Sequence, residues 1–369
     1  MKQLTNIHLE GFRSIAHADV PLCSLNVLIG ANGAGKSNLI DAFRMLNYAL
    51  TRGFQDPYLV ERGPASAILH FGPKTTGVIR GELTFASDTG TNYYRFTLAD
   101  SVGDRLTFTK EEVQFHRAGA QKPGKPVSLI QNPSDNSGLS ELWAENDPTA
   151  RFTKNFLQRC RVYQFHDTSA ESHFRDYTPV DQNRHLFADG GNLSALLLDL
   201  KNNNPEDYLT IVRTLRVVLP WFDDFVLEAE GKRGVLLRWR TASRGGHDFG
   251  PSQLSDGSLR IMALVTLLSL PVDRMPDVIL LDEPELGLHP AAESVIAGLI
   301  KQASRMCQVI LSTQSATFVD QFSADDIIVV ECEEGKSRFS RLSAQELSQW
   351  FERYTLSQLW SKNLIGGRP

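Results

Sequence analysis

The chain has 369 residues, 41% hydrophobic and 22% charged, with a net charge of −5, so no global basic field draws it to nucleic acid. Its cysteines (Cys23, Cys160, Cys307, Cys332) show no CxxC spacing, which argues against a thiolate zinc site and suits a reducing cytosol. The opening MKQLTNIHLEGFRS lacks an apolar signal core, and no uninterrupted apolar run approaches ~20 residues, so a soluble cytoplasmic protein without a membrane partner is expected.

Residues 2–30 alternate like two strands, LTNIHLEGF and LNVLIG, the second leading into a glycine loop and a helix, SNLIDAFRMLNYAL. Residues 78–116 hold three strand-like stretches. Ile79, Leu83 and Phe85 face one way and Arg80, Glu82 and Thr84 the other, the period-2 pattern of a half-exposed antiparallel meander. Residues 119–150, rich in Gly, Pro, Ser and Asn, read as a long surface loop. Residues 151–220 read as mostly helical, with Asn192 as a cap for LSALLLDL and Pro205 near the start of EDYLTIVRTLRVVL. A hairpin, FVLEAE and VLLRWR around GKRG, is expected over 225–240. VILLDE (278–283) and QVILST (308–313) are short apolar runs ending in polar residues, the pattern of buried parallel strands. The tail SAQELSQWFERYTLSQLW opens with capping-box spacing from Ser343 to Glu346.

Two motifs carry chemistry. GANGAGKS matches G-x-x-x-x-G-K-[ST] between a strand and a helix. Gly30, Gly33 and Gly35 let the backbone curl so that the N–H groups of Gly30, Ala31, Asn32, Gly33, Ala34, Gly35 and Asn38 line an anion cradle. Lys36 is placed for the β/γ-phosphates of ATP and Ser37 for Mg²⁺. The second motif is Asp282–Glu283 at the end of a buried strand. Asp282 is assigned to the metal and Glu283 to the attacking water. A plain acidic helix start is the competing reading.

LSDGS (254–258) resembles the ABC signature, LEGFRSI the N-terminal segment of RecF, SMC and OLD-type ATPase heads, and DEPELGLHP their Walker B and D-loop. The closing LWSKNLIGGRP resembles the end of stand-alone bacterial RecF-like ATPases. The resemblance spans nearly the whole chain. It implies an α/β fold, a P-loop NTPase of the ABC/RecF head type, with a mixed central sheet, an antiparallel β-meander and a helical insert. The lobes would then be 1–118, 119–250 and 251–369.

The same resemblance implies that two heads pack head to tail around two ATPs, with Ser255 and Gly257 closing on the partner's γ-phosphate. Ser255 offers a hydroxyl, Gly257 close backbone approach, and the following helix its dipole; a simple helix cap is the bland reading. Gln164 corresponds to the Q-loop glutamine, or is a plain strand-end residue. Gln314 occupies the position of the switch histidine. It can hydrogen-bond a γ-phosphate or water but cannot become cationic. His289 falls where D-loops carry Asp, either crossing an interface or stabilising its own turn. Arg13 reads as a nucleotide contact or as an exposed strand-end arginine.

Sustained heptads are missing, which separates this chain from arm-bearing SMC proteins, and too few residues follow residue 331 to form an OLD-type nuclease domain. Arg151, Lys154, Arg159 and Arg161 form one basic cluster, and Lys232, Arg233, Arg238, Arg240 and Arg244 another; either could meet DNA phosphates. The expected activity is Mg-dependent ATP hydrolysis in an ATP-dependent homodimer serving DNA repair or anti-phage defence. The alternatives are an ATP-binding scaffold that controls a partner nuclease or toxin with little turnover, and a transporter subunit.

Overall fold

The computed structural model describes residues 2–50, 55–165, 167, 169, 171–242 and 247–368. Contacts group the chain into two compact units, Met1–Arg161 with Asp277–Leu280 and Ile310–Pro369, and Val162–Pro276 with Leu281–Val309. Each unit draws on stretches that are distant along the chain. The cause is ordinary for α/β proteins, since one sheet collects strands from distant stretches of chain.

The first unit holds an antiparallel sheet. Its strands are β1 (Gln3–Phe12), β2 (Ile15–Pro21), β4 (Val78–Ser87), β5 (Gly90–Ser101), β6 (Arg105–Arg117) and β7 (Val127–Ser128), in the order β2-β1-β4-β5-β6-β7. β2 is a strand that sequence reading missed; its register on β1 pairs Glu10 with His17 and His8 with Asp19. The predicted meander is present as β4, β5 and β6, with Ile79, Leu83 and Phe85 buried as their alternation requires.

The stretch 119–150 is not a plain surface loop. Leu129, Leu139 and Ala144 are buried, and the segment is pinned by Glu111, which is itself fully buried. Glu111 accepts hydrogen bonds from Tyr94 OH (2.8 Å), Ser137 Oγ (2.5 Å) and the Gly138 N–H (2.6 Å). Burial pushes its carboxyl up from the usual range, although these donors oppose the shift. Glu111→Ala strands three buried donors and should cost about 3 kcal/mol or more in urea unfolding. A loss under 1 kcal/mol would mean that water replaces the carboxylate.

A second sheet is mixed. It takes β3 (Leu25–Ile29), β8 (Cys160–Tyr163), β12 (Val278–Asp282), β13 (Gln308–Thr313), β14 (Ile327–Glu333) and β15 (Lys336–Arg341), in the order β15-β14-β3-β13-β12-β8. β14 runs parallel to β3 and antiparallel to β15. Val27, Leu28, Ile29, Ile310 and Leu311 are fully buried, as continuous apolar runs predict. Each such side chain contributes roughly 1.5–3 kcal/mol of transfer free energy.

The second unit carries the helices Leu193–Asn203, Pro205–Val218, Asp256–Leu268 and Pro290–Ala303, and a small sheet of β9 (Phe222–Val226), β10 (Arg238–Thr241) and β11 (Asp248–Phe249). The hairpin expected as FVLEAE and VLLRWR forms with shifted bounds, as β9 against β10 with Arg238 opposite Val226, and only an isolated bridge joins Ala229 to Val235 nearer the GKRG turn. Pro205 sits in the first turn of its helix, as expected. Asn192 occupies the N-cap position without capping. Its Oδ1 accepts from the Phe187 N–H, and its Nδ2 donates to the carbonyls of Gln182 and His185. The tail forms two short helices, Ser348–Phe351 and Leu356–Ser361, and at its opening the Glu346 N–H donates to Ser343 Oγ (3.4 Å). Among the described residues, no helix is long and apolar enough to cross a membrane.

Candidate functional site

The glycine loop leaves the buried end of β3 and enters the helix Lys36–Ala49. Gly30, Gly33 and Gly35 have φ of 153°, 78° and 108°, backbone that only glycine adopts cheaply. Lys36 is 4% exposed, and its Nζ donates to the carbonyls of Gly30 (2.7 Å) and Ala31 (3.0 Å). The cation is thus folded back over its own loop. Asn32, Gly33 and Ser37 face solvent, while Ala31 and Asn38 are half-buried and Ala34 is buried. A Cβ placed on Gly33 would meet nothing within 4 Å, so the loop's outer side has room for a ligand. Curled N–H groups, a helix start and a buried ammonium fit a polyphosphate.

The loop has a back wall that its sequence did not reveal. Ser337 of β15, 1% exposed, donates from Oγ to the Ala34 carbonyl (2.6 Å) and lies 2.6 Å from Ser14 Oγ. Ser14 in turn accepts from Asn38 Nδ2 (2.6 Å). A Cβ on Gly35 would sit 2.0 Å from Ser337 Oγ. Ser14 lies in the quoted LEGFRSI segment, but nothing near position 337 signals phosphate chemistry. The tail adds a second support. The Gly367 N–H donates to Glu331 Oε1 (3.0 Å), Trp360 Nε1 donates to the Gly367 carbonyl, and a Cβ on Gly367 would lie 3.4 Å from Gly30 Cα.

Arg13, with φ of 48°, is engaged by Asp41: its Nη2 lies 2.9 Å from Asp41 Oδ2, and Arg44 and Arg62 flank the same carboxylate. That ion-pair cluster anchors Arg13 to the helix following the loop. Gln314 is half-buried just past the end of β13.

In the second unit, Asp282 and Glu283 are half-buried at the end of β12. Glu283 adopts φ of 47°, a left-handed conformation that costs a non-glycine residue about 1–3 kcal/mol and persists only where surroundings enforce it. Both carboxylates line a cleft of 20 Å³ with Tyr163, Phe165, Arg260, Leu264, Leu281 and Pro284. Its volume suits one water molecule. Gln164 follows β8 and is half-buried; its N–H donates to the Ala188 carbonyl (2.9 Å).

The LSDGS turn starts the helix Asp256–Leu268. Ser255 is its N-cap, accepting from the Ser258 N–H at 3.3 Å while remaining exposed. Gly257 packs on the turn that follows the acidic pair, where a Cβ would stand 3.0 Å from the Gly287 carbonyl. Arg260 Nη1 also donates to the Leu286 carbonyl (3.0 Å). Signature turn and acidic turn are therefore joined within this unit. His289 caps the helix Pro290–Ala303, its Nδ1 accepting from the Ala291 N–H at 3.3 Å.

Many cations of the two basic clusters meet carboxylates of the same chain. Lys154 pairs with Glu145, Arg159 with Asp277, Arg238 with Glu230 and Arg240 with Asp248. Arg244 lies outside the described residues.

A family model described as "AAA domain, putative AbiEii toxin, Type IV TA system" matches residues 25–320. The energy-coupling factor transporter ATP-binding protein EcfA2 of Staphylococcus aureus is 34% identical over 122 residues, 32% of this chain and 40% of that protein. The chain thus spans 40% of the length of the curated relatives it matches. An SMC head solved with the C-terminal winged-helix domain of ScpA superposes with a TM-score of 0.62 at 16% identity, covering 94% of this chain and 99% of that one. An SMC head with an extended coiled coil, bound to the C-terminal domain of ScpA from Pyrococcus furiosus, gives 0.55 at 15% identity, covering 95% and 99%. The fold is that of RecF/SMC-like, ABC-class ATPase heads.

Proposed function

This chain belongs to the family described as "AAA domain, putative AbiEii toxin, Type IV TA system", and from that premise we propose that it hydrolyses ATP as a head that dimerises around two nucleotides. The observation that carries the proposal is the phosphate loop, with three glycines in left-handed backbone, a buried Lys36 held over the curl, and an exposed Ser37. Lys36 exchanges its two carbonyl partners for β/γ-phosphate oxygens, and the loop N–H groups hold the rest of the chain of phosphates. Ser37 and Asp282 are the residues that would hold Mg²⁺, which would offset the charge that phosphoryl transfer develops on the phosphate oxygens. Glu283 orients a water molecule and takes its proton, which the water-sized cleft beside it supports. Gln164 and Gln314 are each assigned a neutral hydrogen bond to the nucleotide or its attacking water.

Ser255 and Gly257 act on the nucleotide of a second copy. The exposed Ser255 hydroxyl at a helix start supports this assignment. The family description, with its toxin–antitoxin wording, favours anti-phage defence over DNA repair as the setting. One observation favours the scaffold reading, in which ATP is held with little turnover and a nuclease or toxin partner is controlled: Gln314 cannot carry the charge of a switch histidine.

Light scattering decides between monomer and sandwich. Glu283→Gln is expected to be monomeric alone and dimeric with ATP and Mg²⁺, and adding Ser255→Arg should return it to monomer. A dimer that survives Ser255→Arg would refute the assigned role of the signature turn.

A further inference from the structure

The solvent face of the β1–β2 pair carries a cluster that the ATPase reading leaves unused. In a strand, residues two apart project from the same face, so His8 and Glu10 stand side by side on β1. The antiparallel register sets His17 of β2 directly across from Glu10. The three side chains converge on a single atom: His8 Nε2 and His17 Nδ1 each lie 3.2 Å from Glu10 Oε1. The two rings meet edge to face, with centroids 5.0 Å apart and planes at 76°, so both nitrogens can aim at one point. All three ligand atoms fall within 4.8 Å of one another.

We propose that His8, Glu10 and His17 form a binding site for a divalent transition metal of the Zn²⁺ class. Two imidazole nitrogens and one carboxylate oxygen are the donor set such ions select, whereas Mg²⁺ prefers oxygen alone. A tetrahedral ion 2.0–2.1 Å from each nitrogen needs donors about 3.3 Å apart, close to the spacing around Glu10 Oε1. The backbone is already ordered, because both strands are in the sheet and Ile7, Leu9, Ala18 and Val20 beneath the site are buried.

Arg80 Nη1 lies 3.3 Å from Glu10, but at Oε2, the oxygen turned away from the imidazoles. Asp19 and Glu82 flank His8 on either side in the register, so the local field is not cationic. His8 and Glu10 are about a third exposed and His17 about two thirds, which leaves solvent to complete the coordination shell. No cysteine takes part, so the spacing that argues against a thiolate site has no bearing on this one.

The test is calorimetric titration of the chelator-stripped full chain with ZnCl₂, without nucleotide. One ion per chain is expected, and His17→Ala, His8→Asn and Glu10→Gln should each weaken binding at least tenfold. His17 is the most exposed of the three, so its variant can be checked for an unchanged circular dichroism spectrum before titration. The exposed thiols Cys23 and Cys332 are the competing ligands, and Cys23→Ser/Cys332→Ser should leave uptake unchanged. Absence of binding, binding undiminished in His17→Ala, or binding that follows the two cysteines would overturn the proposal.

Discussion

Glu283→Gln should bind ATP with wild-type affinity and turn it over at least about a hundredfold more slowly, since a positioned general base is worth about 10²–10⁴ in rate. Steady-state phosphate release and equilibrium nucleotide binding separate the two quantities. Glutamine keeps the size and the hydrogen-bonding reach but cannot accept the proton from water. A second variant guards against a structural explanation. Glu283 holds a left-handed φ of 47°, so Glu283→Gly relieves strain and should unfold at the same denaturant concentration or a higher one while losing turnover. Turnover that survives in both variants would remove Glu283 from the chemistry.

Gly35→Ala is expected to abolish tight ATP binding. Its φ of 108° is hostile to any side chain, and the new methyl would stand 2.0 Å from Ser337 Oγ and 2.7 Å from Ser14 Oγ. Backbone strain costs about 1–3 kcal/mol and overpacking a similar amount. The loop must shift, and the N–H groups it presents shift with it. A fall in affinity of at least tenfold should appear in nucleotide titrations. Ser337→Gly in the same chain removes the nearer of the two contacts, leaving Ser14, and should restore part of that loss. Equal affinity in Gly35→Ala and the parent would show that the back wall yields freely.

The local structure of the glycine loop, of the strand end at Asp282 and of the LSDGS turn is legible because each is a few consecutive residues whose types follow from the backbone conformation they adopt. The meander was legible for the same reason, its alternation being visible within each strand. Three readings failed where a distant partner decides. Asn192 looks like a cap, yet the loop that precedes it captures both ends of its amide. Residues 119–150 look like solvent-facing loop, yet a buried carboxylate on β6 holds them down. β2 was missed because Ala16, Ala18 and Pro21 dilute its β propensity, which pairing with β1 overrides. The basic clusters are only half legible: cations are easy to see in a sequence, and the carboxylates that meet four of them are not.

The wall behind the phosphate loop also bears on how the chain folds. Ser14 and Ser337 are separated by 323 positions, and both must be in place before Gly35 has its final neighbours. A nascent chain can therefore complete β3 and the helix after it long before it can hold a nucleotide. Closing so long a loop delays folding more than it lowers stability. ATP added during refolding should accordingly trap only molecules whose β15 has already docked, making nucleotide protection a late reporter of assembly.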